Sequence, residues 1–172
     1  MRTLLIVLAL LLPVSLSPAG DIGTPFCFGV ECPCGNDDPT AGCRTSTGSG
    51  ALISAFGSTS ISEDILGFEA TNVPPNKVGL LVFGTTSTNA AFMDGIRCFG
   101  GGIQRFWKHE NSNQVGILRY ENVISQWGSV SNVFFEPGDT RYFQIWFRDS
   151  GNGSPCGTKA NLSNGIELTF TP

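Results

Sequence analysis

The stretch Arg141-Tyr142-Phe143-Gln144-Ile145-Trp146-Phe147-Arg148 decides the fold, because its side chains alternate strictly between two faces of an extended chain. Phe143, Ile145 and Phe147 share one face, which we expect to line the core. The other face carries Tyr142, Gln144, Trp146 and Arg148. Such alternation is typical of a strand in an antiparallel sheet, so a sheet protein is predicted.

Further segments of strand length surround this stretch. The last one alternates in the same way, with Ile166, Leu168 and Phe170 inward and Glu167 and Thr169 outward. Residues 78–83 form a near-continuous apolar run, as in a central strand. Further strands are predicted at 49–56, 65–70, 103–108, 117–120, 123–127 and 130–135, and residues 90–93 could form a single helical turn.

Two turns are predicted from their residue types. Glu136-Pro137-Gly138-Asp139 fits a type II turn, in which proline presets the first central dihedral and glycine takes the positive one. Asn164-Gly165 fits a type I′ hairpin between Leu162 and Ile166.

The composition agrees with an all-β class. The chain has 22 Gly and 13 Phe, and good helix formers are scarce outside the first residues. Short alternating strands at this spacing predict a two-sheet antiparallel β-sandwich, Ig-like or jelly-roll-like. We assign it to residues 49–172 and expect the cysteine-rich segment 20–48 to form one domain with it.

The N-terminus has the pattern of a signal peptide. Arg2 precedes the apolar run 4–12, and Ser17-Pro18-Ala19 offers small residues for cleavage after Ala19. The alternative, an uncleaved anchor, is disfavoured because about 20 apolar residues are needed to span a bilayer. We therefore predict a protein that is secreted or held at the cell surface, without membrane insertion after cleavage of residues 1–19.

Six cysteines follow the leader, an even number that predicts three disulfides in an oxidising compartment. Local pairing is expected for the first four, either Cys27–Cys34 with Cys32–Cys43 or Cys27–Cys32 with Cys34–Cys43. Either choice leaves Cys98 to pair with Cys156. A zinc site is the alternative, although the spacing lacks a matching second pair.

Charge excludes one class of partner. Removal of Arg2 takes the formal net charge from −4 to −5, and the nine remaining basic residues are scattered. No basic stripe could follow a phosphate backbone, so nucleic acid is not an expected partner.

No catalytic constellation stands out. The one histidine, His109, lies in a polar stretch typical of an exposed turn, and no Gly-x-Ser-x-Gly motif is present. A carboxylate pair for glycoside hydrolysis would have to use residues such as Glu69 or Glu136, which look like a solvent-facing strand position and a turn. We predict no enzyme and no cofactor.

Weak cation ligands occur beside the cysteines. Asp37 and Asp38 supply oxygen atoms that Ca²⁺ could use. Their spacing matches no EF-hand, and a turn stabilised by Asp side chains is the simpler explanation.

The best binding candidate is the outward row Tyr142, Trp146 and Arg148. Aromatic rings on an exposed sheet face give flat platforms for sugar rings or for an apolar patch of a partner protein. The alternative is that this face is covered by loops or by Trp107 and Trp127, in which case Trp146 belongs to the core.

Several motifs together resemble a largely uncharacterised, disulfide-containing β-rich domain of secreted bacterial proteins, found mostly at the C-terminus of longer chains. The matching pieces are Cys27-Phe28-Gly29, Cys32-Pro33-Cys34-Gly35-Asn36, Gly42-Cys43, Asp94-Gly95-Ile96-Arg97-Cys98 with Gly100-Gly101, Phe143-Gln144-Ile145-Trp146-Phe147-Arg148-Asp149, Cys156 and Asn161-Leu162-Ser163-Asn164-Gly165-Ile166. The resemblance implies secretion, disulfides and a module-like role, and it supplies no catalytic residues.

Taken together, these patterns predict a secreted, non-enzymatic structural or binding module. A carbohydrate-binding module that uses the aromatic strand face is one alternative, and a small glycoside hydrolase with unrecognised carboxylates is another. The partner is expected to be a glycan or another surface protein.

Overall fold

A computed structural model describes residues 22–151 and 153–172. The predicted signal peptide lies outside the described residues. The chain forms twelve strands and one helix within these ranges. In chain order they are β1 Thr24–Phe26, β2 Leu52–Phe56, β3 Gly67–Thr71, β4 Val78–Gly84, β5 Thr86–Phe92, β6 Gly95–Gly100, β7 Gln104–Arg105, β8 Glu110–Asn111, β9 Leu118–Tyr120, α1 Val123–Ser131, β10 Thr140–Arg148, β11 Ala160–Leu162 and β12 Gly165–Thr169.

The predicted all-β sandwich is confirmed, with antiparallel pairing between all of these strands. The large sheet has the order β1-β12-β10-β4-β7, with β11 also paired to β10 and β8 to β4. A second sheet has the order β2-β3-β9. The hairpin β5-β6 forms a third, two-stranded sheet.

The core lies between the two larger sheets. Phe143, Ile145 and Phe147 are fully buried, as the alternation in β10 predicts. They pack with Phe68 and Leu118 from the sheet β2-β3-β9. Ile166, Leu168 and Phe170 also face this core, as expected. Because the core uses one face of β10, its opposite face remains available to other elements.

The helix α1 replaces two strands that we predicted at 123–127 and 130–135. Val123, Ile124 and Trp127 are buried, at a spacing that suits one face of a helix. Trp127 lies against Phe83, with ring centroids 4.8 Å apart, and closes the core. The strand prediction was wrong because a short apolar run does not distinguish a strand from a buried helix.

The predicted turns had different outcomes. At residues 136–139 the N–H of Asp139 donates to the carbonyl of Glu136 at 3.0 Å and Gly138 has φ 92°, as a type II turn requires. The hairpin predicted at Asn164-Gly165 was wrong. β11 and β12 do not pair with each other; both pair with β10 and follow one another along the same side of it. The register shifts by one residue between them, so the interruption is a bulge.

The hairpin β5-β6 also differs from expectation. The helical turn predicted at 90–93 was wrong, since Ala90 and Ala91 pair with Arg97 and Ile96. The strand expected at 103–108 shortens to β7. The exposed, small and polar side chains of β5 gave no apolar alternation by which the strand could be recognised.

Three disulfides form as predicted in number, but their pairing differs. The bonds join Cys27 to Cys98, Cys32 to Cys43 and Cys34 to Cys156. Only Cys32–Cys43 belongs to one of the expected local schemes, and Cys98–Cys156 was wrong. Local pairing fails because β1, paired with β12, carries Cys27 to the sheet face on which β6 and Cys98 lie.

Candidate functional site

The hairpin β5-β6 lies across the outer face of the large sheet. Its Phe99 packs with Leu80 and Val82 of β4 and with Leu162 of β11, and Trp146 borders this second apolar cluster. At the end of β4, a Cβ on Gly84 would overlap the backbone of Gly100. The hairpin therefore sits directly on the sheet, backbone against backbone.

A disulfide and a buried amide side chain help to hold the hairpin in place. The Cys27–Cys98 disulfide ties β6 to the segment after β1. The buried side chain of Gln144 accepts a 3.0 Å hydrogen bond from the N–H of Cys98 and donates a 2.8 Å bond to the carbonyl of Ile96. The same Nε2 group donates to the carbonyl of Ser163. One buried amide thus links β10, β6 and the bulge.

A groove of about 330 Å³ remains between the hairpin and the sheet, and we call it the Trp146 groove. Its floor consists of Leu80, Val82, Trp146 and Leu162. Its walls and rim consist of Phe92, Met93, Arg97, Phe99, Ile103 and Arg105. This volume lies near the lower end of the ~300–1,000 Å³ range of small-molecule pockets.

The indole of Trp146 has a fixed orientation. Its Nε1–H donates to the sulfur of Met93 at 3.3 Å, and the guanidinium carbon of Arg148 lies 5.1 Å from its ring centroid. The ring is half-buried. These contacts on two sides position the indole in the groove floor.

The predicted row of Tyr142, Trp146 and Arg148 is only partly brought together. Trp146 and Arg148 are in contact, but Tyr142 is half-buried with its ring edge-on to Phe26, at 5.6 Å between centroids. Tyr142 does not line the groove, and Gln144, which separates it from Trp146, is fully buried. The three side chains therefore do not form one flat platform.

The charges of the groove are all positive. Arg97 and Arg105 line it, whereas no carboxylate does. Within residues 22–151 and 153–172, neither arginine forms an ion pair. The Nε atom of Arg97 is buried and has no hydrogen-bond partner among these residues, an arrangement that is unusual for a guanidinium group.

A second groove, of about 350 Å³, is polar and its charges are paired. Lys108 lies 2.5 Å from Glu110, and Arg119 contacts Glu121 at 2.8 Å and Glu69 at 3.0 Å. The hydrogen bond to Glu121 is the main cause of the raised pKa of Arg119. These mutual contacts explain the charges in this groove without a ligand.

The other singled-out acidic residues act within loops. Asp37 accepts a hydrogen bond from the N–H of Cys32, and Asp38 accepts bonds from Thr40 and from the N–H of Gly50 at 2.9 Å. The Gly50 N–H is the main cause of the lowered pKa of Asp38. In the part of the chain that the structure describes, no group of three or more His, Cys, Asp and Glu side chains could hold a metal ion.

The remaining catalytic candidates lie on different elements or loops of the fold. Glu69 is on β3 and pairs with Arg119, whereas Glu136 is exposed at the turn before β10. His109 is exposed between β7 and β8. None of these three residues lines the Trp146 groove.

Sequence reasoning found Trp146 but missed the rest of the groove. Arg97, Phe99 and Met93 come from a hairpin that was not predicted. The apolar and basic alternation of Ile96-Arg97-Cys98 is the one signal that could have indicated a strand there. Arg105 and Ile103 reach the groove only through tertiary packing, which no local pattern reports.

No protein-family model matches the chain, and no curated protein or solved structure matches it either. In the described ranges, no helix is long and apolar enough to cross a membrane.

Proposed function

We propose that this protein is an exported, non-enzymatic binding module and that the Trp146 groove holds its ligand. The observation that carries the proposal is the preformed groove itself, which is walled by a hairpin that a disulfide and a buried glutamine fix in place. Rigid, largely apolar concave sites with few polar groups are typical of small-molecule binding sites.

Exposure of large apolar side chains supports the same site. Phe92, Met93 and Ile103 are 38%, 39% and 40% exposed, and all three border the groove. Single exposed apolar residues are ordinary, but a group around a concavity indicates a contact surface. Three disulfides and the leader pattern support export, since disulfides persist in oxidising compartments.

The lining supports binding rather than catalysis. Leucine, valine, phenylalanine, methionine and isoleucine side chains transfer no protons, and arginine stays protonated in proteins. General acid–base or nucleophilic catalysis needs a group that can lose or gain a proton near neutral pH. The groove residues provide no such group.

The test is a fragment screen on the exported, oxidised protein, read by methyl NMR. The screen uses neutral, anionic and cationic fragments. We expect at least one of these classes to shift the methyl signals of Leu80, Val82 and Leu162. Leu66 and Leu118 in the main core serve as internal references. Shifts confined to other surfaces, or no shifts with any class, would contradict the proposed site.

A carbohydrate ligand is the second candidate, favoured by the half-exposed ring of Trp146 beside Arg148. Sugar hydroxyls need hydrogen-bond acceptors as well as donors. The arginines supply donors only, so a neutral sugar would leave part of its polar surface unpaired in this groove. Glycan-array binding that is lost in a folded Trp146→Ala variant would make a carbohydrate the favoured ligand of the groove.

A further inference from the structure

We infer that the Trp146 groove selects a small organic monocarboxylate with an apolar body, such as a medium-chain aliphatic acid. This inference rests on the proposed function and names the chemical class of its ligand. It depends on three properties of the groove: an apolar floor, cationic walls and a buried guanidinium nitrogen without a partner.

The floor and one wall specify the apolar body. Leu80, Val82 and Leu162 form a continuous aliphatic surface, and Phe99 packs against it. Removal of apolar surface from water is favourable in proportion to its area, whereas hydroxyl groups placed here would lose hydrogen bonds to water without replacement. An unbranched aliphatic chain or an aromatic ring can pack on this surface without placing a polar atom against it.

The two arginines specify the charge. Arg97 on β6 and Arg105 on β7 line the groove, and no carboxylate lines it with them. Neither arginine forms an ion pair with another described residue. The whole chain is acidic, with a formal net charge of −4, so this local excess of positive charge is opposite in sign to the rest of the protein. Charge complementarity therefore favours an anion at this place and disfavours cations.

The unpaired Nε of Arg97 adds a second, independent indication. A buried polar group without a partner carries a desolvation cost. Because Arg97 lines the groove, a turn of its guanidinium toward an acceptor bound there would relieve that cost. A carboxylate presents two acceptor oxygen atoms in a plane, which matches the fork of N–H groups on a guanidinium. A neutral alcohol of the same length accepts more weakly and carries no charge.

The experiment is isothermal titration calorimetry on the exported, oxidised protein with octanoate, 1-octanol and acetate. Octanoate has both the chain and the charge, whereas 1-octanol and acetate each lack one of them. We expect octanoate to bind at least about tenfold more tightly than 1-octanol, because a charge-assisted hydrogen bond replaces a neutral one. Acetate should give no measurable heat of binding.

Variants separate the contribution of each arginine. Arg97→Gln and Arg105→Gln should each weaken octanoate binding by about tenfold and leave 1-octanol binding unchanged. Ile103→Glu, at an exposed rim position, should abolish the preference for octanoate through like-charge repulsion. Arg44→Gln makes the same change in net charge at an exposed residue outside the groove and should bind octanoate like the parent protein.

Three outcomes overturn the inference. Equal affinity for octanoate and 1-octanol would show a groove that selects only apolar bodies, and the fragment screen would then still support the binding module. Loss of octanoate binding in Arg44→Gln to the same extent as in Arg97→Gln would show a general charge effect. If no fragment and no octanoate perturbs the groove, the proposed function fails together with the inference.

Discussion

The side-chain oxygen of Gln144 accepts a hydrogen bond of 3.0 Å from the backbone N–H of Cys98. This bond crosses from the central strand of the large sheet to the hairpin that walls the groove. Cys98 is also the partner of Cys27, so covalent and hydrogen-bonded connections meet at one residue. The groove is therefore held by the same contacts that close the N-terminal segment onto the sandwich.

We expect Gln144→Leu to destabilise the protein by about 2–4 kcal/mol, because it leaves the N–H of Cys98 and two carbonyl groups buried without partners. Urea unfolding of the oxidised protein measures the change. Gln114→Leu, at an exposed position in a turn, is the matched control and should stay within about 0.5 kcal/mol of the parent. A neutral Gln144→Leu variant would contradict the proposed anchoring.

Removal of individual disulfides should have unequal effects. The Cys27–Cys98 bond closes a separation of 71 residues and the Cys32–Cys43 bond one of 11. On the chain-entropy model, paired alanine substitutions should cost about 4 kcal/mol for the first and about 3 kcal/mol for the second. Only the first pair should also weaken octanoate binding, since of these two bonds only Cys27–Cys98 includes a residue of the hairpin. Equal loss of binding in both variants would contradict this role.

Alkaline pH should destabilise the protein through Tyr120. Its hydroxyl donates to the carbonyl of Gly79 at 2.9 Å, and burial raises its pKa above the ordinary value. In the unfolded chain the tyrosine loses its proton near its ordinary pKa of about 10, whereas the folded protein keeps that proton. The stability that this group contributes at lower pH is therefore lost as the pH rises above about 10. Tyr120→Phe should cost about 1 kcal/mol at pH 7. In urea unfolding between pH 9 and 11, it should show a smaller alkaline loss than the parent, and an equal loss would contradict the assignment.

Acidic pH should act through Asp38, whose pKa is lowered chiefly by the N–H of Gly50. A lowered pKa contributes stability above the unfolded pKa of about 3.9, and this contribution is lost as the pH falls through the folded value. Asp38→Asn should therefore be less stable at pH 7 and should lose less stability on acidification. Glu63→Gln, at an exposed position, controls for net charge at pH 7. Parallel acid profiles for Asp38→Asn and the parent would contradict the prediction.

Local alternation predicted the central part of the fold well. The inward residues of β10 and β12 follow directly from their period of two, because burial on one face imposes that period. The turn predicted from the Asn164-Gly165 pair was wrong for a physical reason. A Cβ on Gly165 would lie 2.6 Å from the ring of Phe26 and 3.0 Å from the Cβ of Cys98, so this glycine serves close packing rather than a turn.

The candidate site was less predictable, because it is assembled by tertiary packing. Trp146 stood out as an outward aromatic residue, but Arg97 and Arg105 come from elements that pair with β5 and β4 rather than with β10. Gln144 looked like an outward polar residue, and its burial follows only from the hairpin above it. Disulfide pairing depends in the same way on which faces the sheets present.

Disulfides bind the N-terminal cysteine segment to the hairpin and to the C-terminal loop. A disulfide map of the exported, unreduced protein tests it most directly. Digestion after glutamate and before aspartate, followed by electron-transfer fragmentation, separates Cys32 from Cys34. We expect the linkages Cys27–Cys98, Cys32–Cys43 and Cys34–Cys156 with no free thiol. Pairing of the first four cysteines among themselves, or free thiols in the unreduced protein, would contradict this arrangement.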